Sequence, residues 1–168
     1  MPATHAVDET FRVVVVDDCR DNADTLLLLL TQWGFNARSA YDSATALSLV
    51  DSFSPDVIIA DIAMPVASGL ELAKRLRELS RKPNVLIALS GYADDEHRHA
   101  AEAAGYDFYL VKPPDLDPLR DLLDAARRVA DHCRRIEAHA DRAEVLTSEV
   151  RGLIDYIRAE LRVGLTMA

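Results

Sequence analysis

The sequence predicts an α/β fold, a doubly wound parallel sheet of five strands, and three observations carry that prediction. Over the first 115 residues, short strand-like runs alternate with longer helix-like segments, the pattern of successive β–α units. Three of the runs are nearly unbroken in apolar residues, as parallel strands are when both sheet faces are covered. Gly34 and Gly105 stand just past two of the helical segments, where a helix C-terminal cap belongs.

The elements follow in order. Residues 1–10 read as a flexible N-terminus, and FRVVVVD (11–17) as the first strand. DCRDN then leads into a leucine-rich helix over 22–33, which Asp21 or Asn22 alone could cap. The leucine run and Trp33 are assigned to the core. FNARSA (35–40) is the second strand and 43–53 a helix; DVIIAD (56–61) is the third strand, followed by a helix over 69–80. NVLIALS (84–90), a helix over 94–104 and YDFYLVK (106–112) complete the set.

Composition narrows the function classes. Apolar residues make up 49% and charged residues 28% of the 168, ordinary for a globular protein. The net charge is −9, and the excess is local: residues 1–118 hold 19 acids and 10 bases, residues 119–168 nine of each. An acidic N-terminal part disfavours direct contact with nucleic acid and suits a cation site. Apolar runs such as Leu26–Leu30 fall far short of the ~20 residues a membrane helix needs. MPATHAVDET lacks the apolar core of a signal peptide, and Cys19 and Cys133 form neither a CxxC motif nor a disulfide framework. A cytoplasmic protein is expected.

In doubly wound sheets, ligands bind beyond the carboxyl ends of the strands. Collecting the residues that end each run gives Asp17 and Asp18, Asp61, Ser90 and Lys112. Asp17 and Asp18 are adjacent carboxylates at the end of a buried run, where their repulsion is costly. A positive group is needed between them. His97 and His99, two apart on a helix, face different sides and make no metal pair.

The set VVVVDD, DIAMPVASG, ALSG and YLVKP resembles the receiver domain of two-component response regulators, the CheY-like fold, over 11–130. That resemblance implies the strand order 2-1-3-4-5. It implies Asp61 as phosphoacceptor and a Mg2+ cofactor held by Asp17, Asp18, Asp61 and the main-chain carbonyl of Ala63, with Asp17 acting largely through water. Lys112 would balance the phosphoryl charge, and Ser90 would hydrogen-bond a phosphoryl oxygen. Ser90 and Tyr109 would form the switch. The implied partner is a sensor histidine kinase or histidine phosphotransfer protein, and the implied role is signalling, without turnover beyond its own phosphorylation and dephosphorylation. Ala63 and Tyr92 stand where many relatives carry polar side chains, and neither readily activates a water, so a slowly lost phosphoryl group is expected. Pro114 after Lys112-Pro113 is a further departure.

Beyond the receiver the pattern changes. From Leu119 through Leu122, Ala126, Val129, Cys133 and Ile136 to Leu161, apolar or small residues alternate spacings of three and four, a heptad seam. Residues 131–168 therefore read as a helical extension that forms a homodimer; a break near 138–142 into a hairpin is the alternative. Two other functions compete with phosphoacceptance. One is a pseudo-receiver that only mediates interaction or dimerisation, which the complete set of site residues argues against. The other is a Mg-dependent phosphohydrolase, which would need an acid–base Asp two residues after Asp61, where Ala63 stands.

Overall fold

The computed structural model describes residues 8–65, 68–79 and 84–137, with positions 152 and 155. The chain divides into two compact units, Met1–Lys112 and Pro113–Ala168. In the first, strands β1 (Asp8–Val16), β2 (Phe35–Ala40), β3 (Val57–Asp61), β4 (Val85–Ser90) and β5 (Phe108–Val111) alternate with helices α1 (Arg20–Gln32), α2 (Ser43–Phe53), α3 (Gly69–Leu79) and α4 (Asp95–Ala104). All strand pairs are parallel, in the order β2-β1-β3-β4-β5. The strand order reverses between β1 and β3, which is the switch point.

Every residue of β3 and β4 is buried, which explains their unbroken apolar character. Alternate residues serve opposite faces. Val14, Val16, Ile58, Ala60, Leu86 and Ala88 join Phe53 of α2, Leu72 and Leu76 of α3 and Ala101 of α4 in one cluster. Val13, Val15, Ile59 and Ile87 point to the other face. There α1 lies on β1 and β2 and buries Ala23, Leu26 and Leu30. The rest of the leucine run is not core: Leu28 is exposed, and Trp33 is only partly covered. A helix presents one stripe inward, so five consecutive leucines cannot all be buried against one sheet.

Two boundaries differ from the sequence reading for physical reasons, and the two glycine ends agree with it. Asp8–Thr10 are strand, not flexible N-terminus: Asp8 pairs with Phe35, the register shifts before Arg12, and buried Phe11 packs its ring 5.8 Å from that of Phe35. The cap of α1 is Cys19, neither Asp21 nor Asn22; Asp21 lies in the first turn, where its charge suits the helix dipole. Trp33 ends α1, and Gly34 follows at φ 88°, while Gly105 caps α4 at φ 107°. Only glycine takes such angles without strain.

In the second unit, α5 spans Leu116–Glu137 and buries Leu119, Leu122, Leu123, Ala126 and Val129. Leu123 was not in the predicted seam. Arg127 pairs with Asp124 at 2.7 Å and Arg134 with Asp131 at 2.9 Å, ion pairs one turn apart along the helix. The seam side chains from Cys133 onward, the 138–142 break and the rest of the extension lie outside the described residues, apart from helical positions 152 and 155.

Candidate functional site

Four strand ends bring the predicted residues to one rim. β1 delivers Asp17 and Asp18 just past Val16, β3 ends on Asp61, β4 on Ser90, and Lys112 follows β5. Parallel register aligns these ends: Val16 lies beside Ala60, Asp61 beside Leu89, and Ser90 beside Val111. The main chain continues the ladder past the strands, with Asp17 N–H donating to the Ala40 carbonyl and Lys112 N–H to that of Ser90. Both side chains are thereby aimed from fixed backbone.

Asp17 and Asp61 are buried, whereas Asp18 is exposed. One carboxylate oxygen from each of the three lies within 4.8 Å of the other two. The positive group among them is Lys112. Its ammonium donates to Asp17 Oδ2 at 2.7 Å and to Asp61 Oδ2 at 2.8 Å. Burial alone would lower the lysine's pKa; the two carboxylates outweigh it and hold it above the ordinary value. Lys112 therefore balances two of the three carboxylates. The second oxygens of both acids are also bound: Asp17 Oδ1 accepts from Cys19 N–H at 2.9 Å, and Asp61 Oδ1 from Ala63 N–H at 2.8 Å. Cys19 thus begins α1 and orients Asp17 at once.

Three carboxylates against one ammonium leave two negative charges in a volume a few ångströms across. An all-oxygen donor set with surplus negative charge fits a hard divalent cation such as Mg2+. Ala63, the fourth expected ligand, is exposed beside Asp61.

Ser90 is fully buried, and its Oγ accepts from Tyr92 N–H at 3.1 Å. A hydroxyl that accepts through a lone pair keeps its own proton to donate. Tyr92 is a junction for the predicted switch: its carbonyl accepts from the Tyr109 hydroxyl at 2.7 Å, and its ring stacks on His97, centroids 4.2 Å apart. Ser90 and Tyr109 are therefore tied to the N–H and the carbonyl of the same residue. Tyr109 is partly buried, with the Arg98 guanidinium 5.4 Å from its ring.

Two residues of this region escaped the sequence reading. Gly69 opens α3, and a Cβ there would overlap the Asp61 carbonyl oxygen and sit 2.6 Å from Ile62 Cα. Its place at the end of the DIAMPVASG motif was the available signal. Tyr106 is 3% exposed, and its hydroxyl donates to the Gly69 carbonyl at 2.8 Å. Nothing local in the sequence marks it, because its partner lies 37 residues away.

A parallel sheet with an acidic pocket and a lysine at the carboxyl rim defines a receiver-type α/β domain. The family model described as the response regulator receiver domain matches residues 13–124, and the chain belongs to that family of two-component signalling modules. It is 40% identical over 108 residues to an uncharacterised 14.6 kDa protein of Leptolyngbya boryana, covering 64% of this chain and 81% of that one. It is 34% identical over 108 residues to the response regulator MprA of Mycobacterium avium; the match covers 64% of this chain and 47% of MprA, about half its length. Among solved structures, chemotaxis protein CheY4 of Vibrio cholerae superposes with a TM-score of 0.64 at 27% identity, over 70% of this chain and 98% of that one. Among the described residues, no helix is long and apolar enough to cross a membrane.

Proposed function

We propose that this receiver accepts a phosphoryl group on Asp61 from the phosphohistidine of a sensor kinase or phosphotransfer protein. The observation that carries the reading is the Asp17–Asp18–Asp61 cluster, with the Lys112 ammonium bonded to Asp17 and Asp61. In the transfer, an Asp61 carboxylate oxygen bonds to phosphorus as the phosphorus–nitrogen bond to the donor imidazole breaks. The electron pair leaves with that nitrogen. A Mg2+ ion held by Asp17, Asp18, Asp61 and the Ala63 carbonyl would neutralise charge shared by carboxylate and phosphoryl oxygens. Lys112 then exchanges its bond to Asp61 Oδ2 for a phosphoryl oxygen, and the Ser90 hydroxyl donates its unspent proton to another. Drawing Ser90 toward the phosphoryl group pulls on Tyr92, and through the Tyr92 carbonyl on Tyr109, shifting the population on the α4–β5 face.

Incubation with a small-molecule phosphodonor and Mg2+ should add the mass of one phosphoryl group to the wild type and nothing to Asp61→Asn. Equal labelling of the two would remove Asp61 from the role and favour a module that acts by interaction alone. Output passes through protein contact, with residues 131–168 pairing two copies. The full chain should sediment as a dimer and a chain truncated after Ala130 as a monomer that still takes phosphate. A monomeric full chain at tens of micromolar would contradict the pairing.

A further inference from the structure

We infer that Tyr106 is a positioning residue for the Asp61 site, holding the start of α3 against the phosphoacceptor's own peptide. The inference rests on the phosphoacceptor reading of Asp61 and adds a residue to it. Tyr106 lies between the Gly105 cap of α4 and β5, with its N–H donating to the Ala101 carbonyl at 3.1 Å. Its ring is buried in the cluster shared by the sheet, α2, α3 and α4. From that fixed base the hydroxyl reaches across to the Gly69 carbonyl. Gly69 in turn rests on Asp61: there is no room for a Cβ between its Cα and the Asp61 carbonyl, and its N–H donates to the Ile62 carbonyl at 3.3 Å.

The contacts form a short chain with little slack. Tyr106 sets the Gly69 carbonyl, Gly69 abuts the Asp61 and Ile62 peptides, and these carry the Asp61 side chain and lead to Ala63. A buried phenol is a good anchor here. Burial, and then the negative charge of Asp61, push its pKa up, so it remains a neutral donor at any working pH. That second cause also means the phenol feels the charge at Asp61. Groups that orient a ligand without touching the ion commonly change affinity or rate by 10–100-fold when removed.

The test is Tyr106→Phe, which keeps the ring and removes only the hydroxyl, compared with wild type and with Ile58→Val, a loss of one methyl from the same cluster. At a temperature well below every melting point, phosphorylation by a small-molecule phosphodonor is followed against donor and Mg2+ concentration. Tyr106→Phe should lower the maximal rate or the Mg2+ affinity about tenfold, with the donor KM unchanged. Ile58→Val should move neither. A Tyr106→Phe protein that is folded and as fast as wild type, with the same Mg2+ affinity, would overturn the inference. A wild type that takes no phosphate would instead overturn the phosphoacceptor reading. A second measurement keeps Tyr106 in place. With 13C-labelled tyrosine Cζ, Asp61→Asn, and Mg2+ added to the wild type, should each shift the Tyr106 resonance. An unmoved resonance under both would also overturn the inference.

Discussion

The two ends of the sheet treat their charges in opposite ways. At the amino end, Arg12, Asp56, Arg77 and Asp107 each bind the main chain. Arg77 donates to the Gly105 carbonyl through Nε and Nη2 (2.9 and 2.7 Å), to the Asn84 carbonyl at 2.8 Å, and pairs with Asp107 at 2.6 Å. Asp107 also accepts from Leu86 N–H at 2.8 Å, and Asp56 from Arg12 N–H at the same distance. Arg12 donates to the Phe53 carbonyl at 2.9 Å. These bonds staple the starts of strands to neighbouring helix ends. At the carboxyl end, Asp17 and Asp61 share one ammonium, and Asp18 beside them stays in solvent. The first set of charges is spent on the fold's own main chain, and the second leaves negative charge that a cation could take.

Magnesium should separate the two ends most sharply. At an ion concentration a hundred times the dissociation constant, binding adds about 2.7 kcal/mol of stability to the folded state. Asp18→Ala should lose that gain, and Arg77→Met should keep it. Thermal melts with and without Mg2+ decide, and an undiminished rise in Asp18→Ala would place the ion elsewhere.

Next in size is the amino end itself. Arg77→Met removes charged donors from two main-chain carbonyls and from Asp107, so it should cost roughly 2–3 kcal/mol in urea melts. The phosphorylation rate should not change. A variant as stable as wild type would show that the staple is decorative.

The smallest effect is alkaline. Lys112 has a raised pKa in the folded protein, so its contribution is complete below the unfolded value of about 10.4. It is lost as pH climbs through the higher folded value. Wild type should therefore shed part of its stability above pH ~10.4 that Lys112→Met does not shed. Parallel profiles for the two proteins in that range would refute the assignment.

Much of this was legible in the chain. β3 and β4 announce themselves because burial on both faces demands continuous apolar residues, and the residues that close each run sit at the rim by connectivity alone. The helix start at Arg20 was misplaced because Cys19 caps without a side-chain bond, so the acids nearby drew the assignment toward themselves. The strand start at Asp8 was missed because a register shift breaks the alternation that marks a strand. Leu28 reads as core by composition and is solvent by helix phase.

The sequence by itself determined the class of fold, the five rim residues and their charge imbalance, since these follow from local pattern and from where each strand must end. Tertiary structure decided the pairings. That Lys112 bridges Asp17 and Asp61, that the Tyr109 hydroxyl reaches the Tyr92 carbonyl, and that Tyr106 reaches Gly69 depend on contacts between residues 17 to 95 positions apart. Local propensity carries no information about such distances; only the register of the closed sheet and the packing of its helices brings those atoms within hydrogen-bonding range.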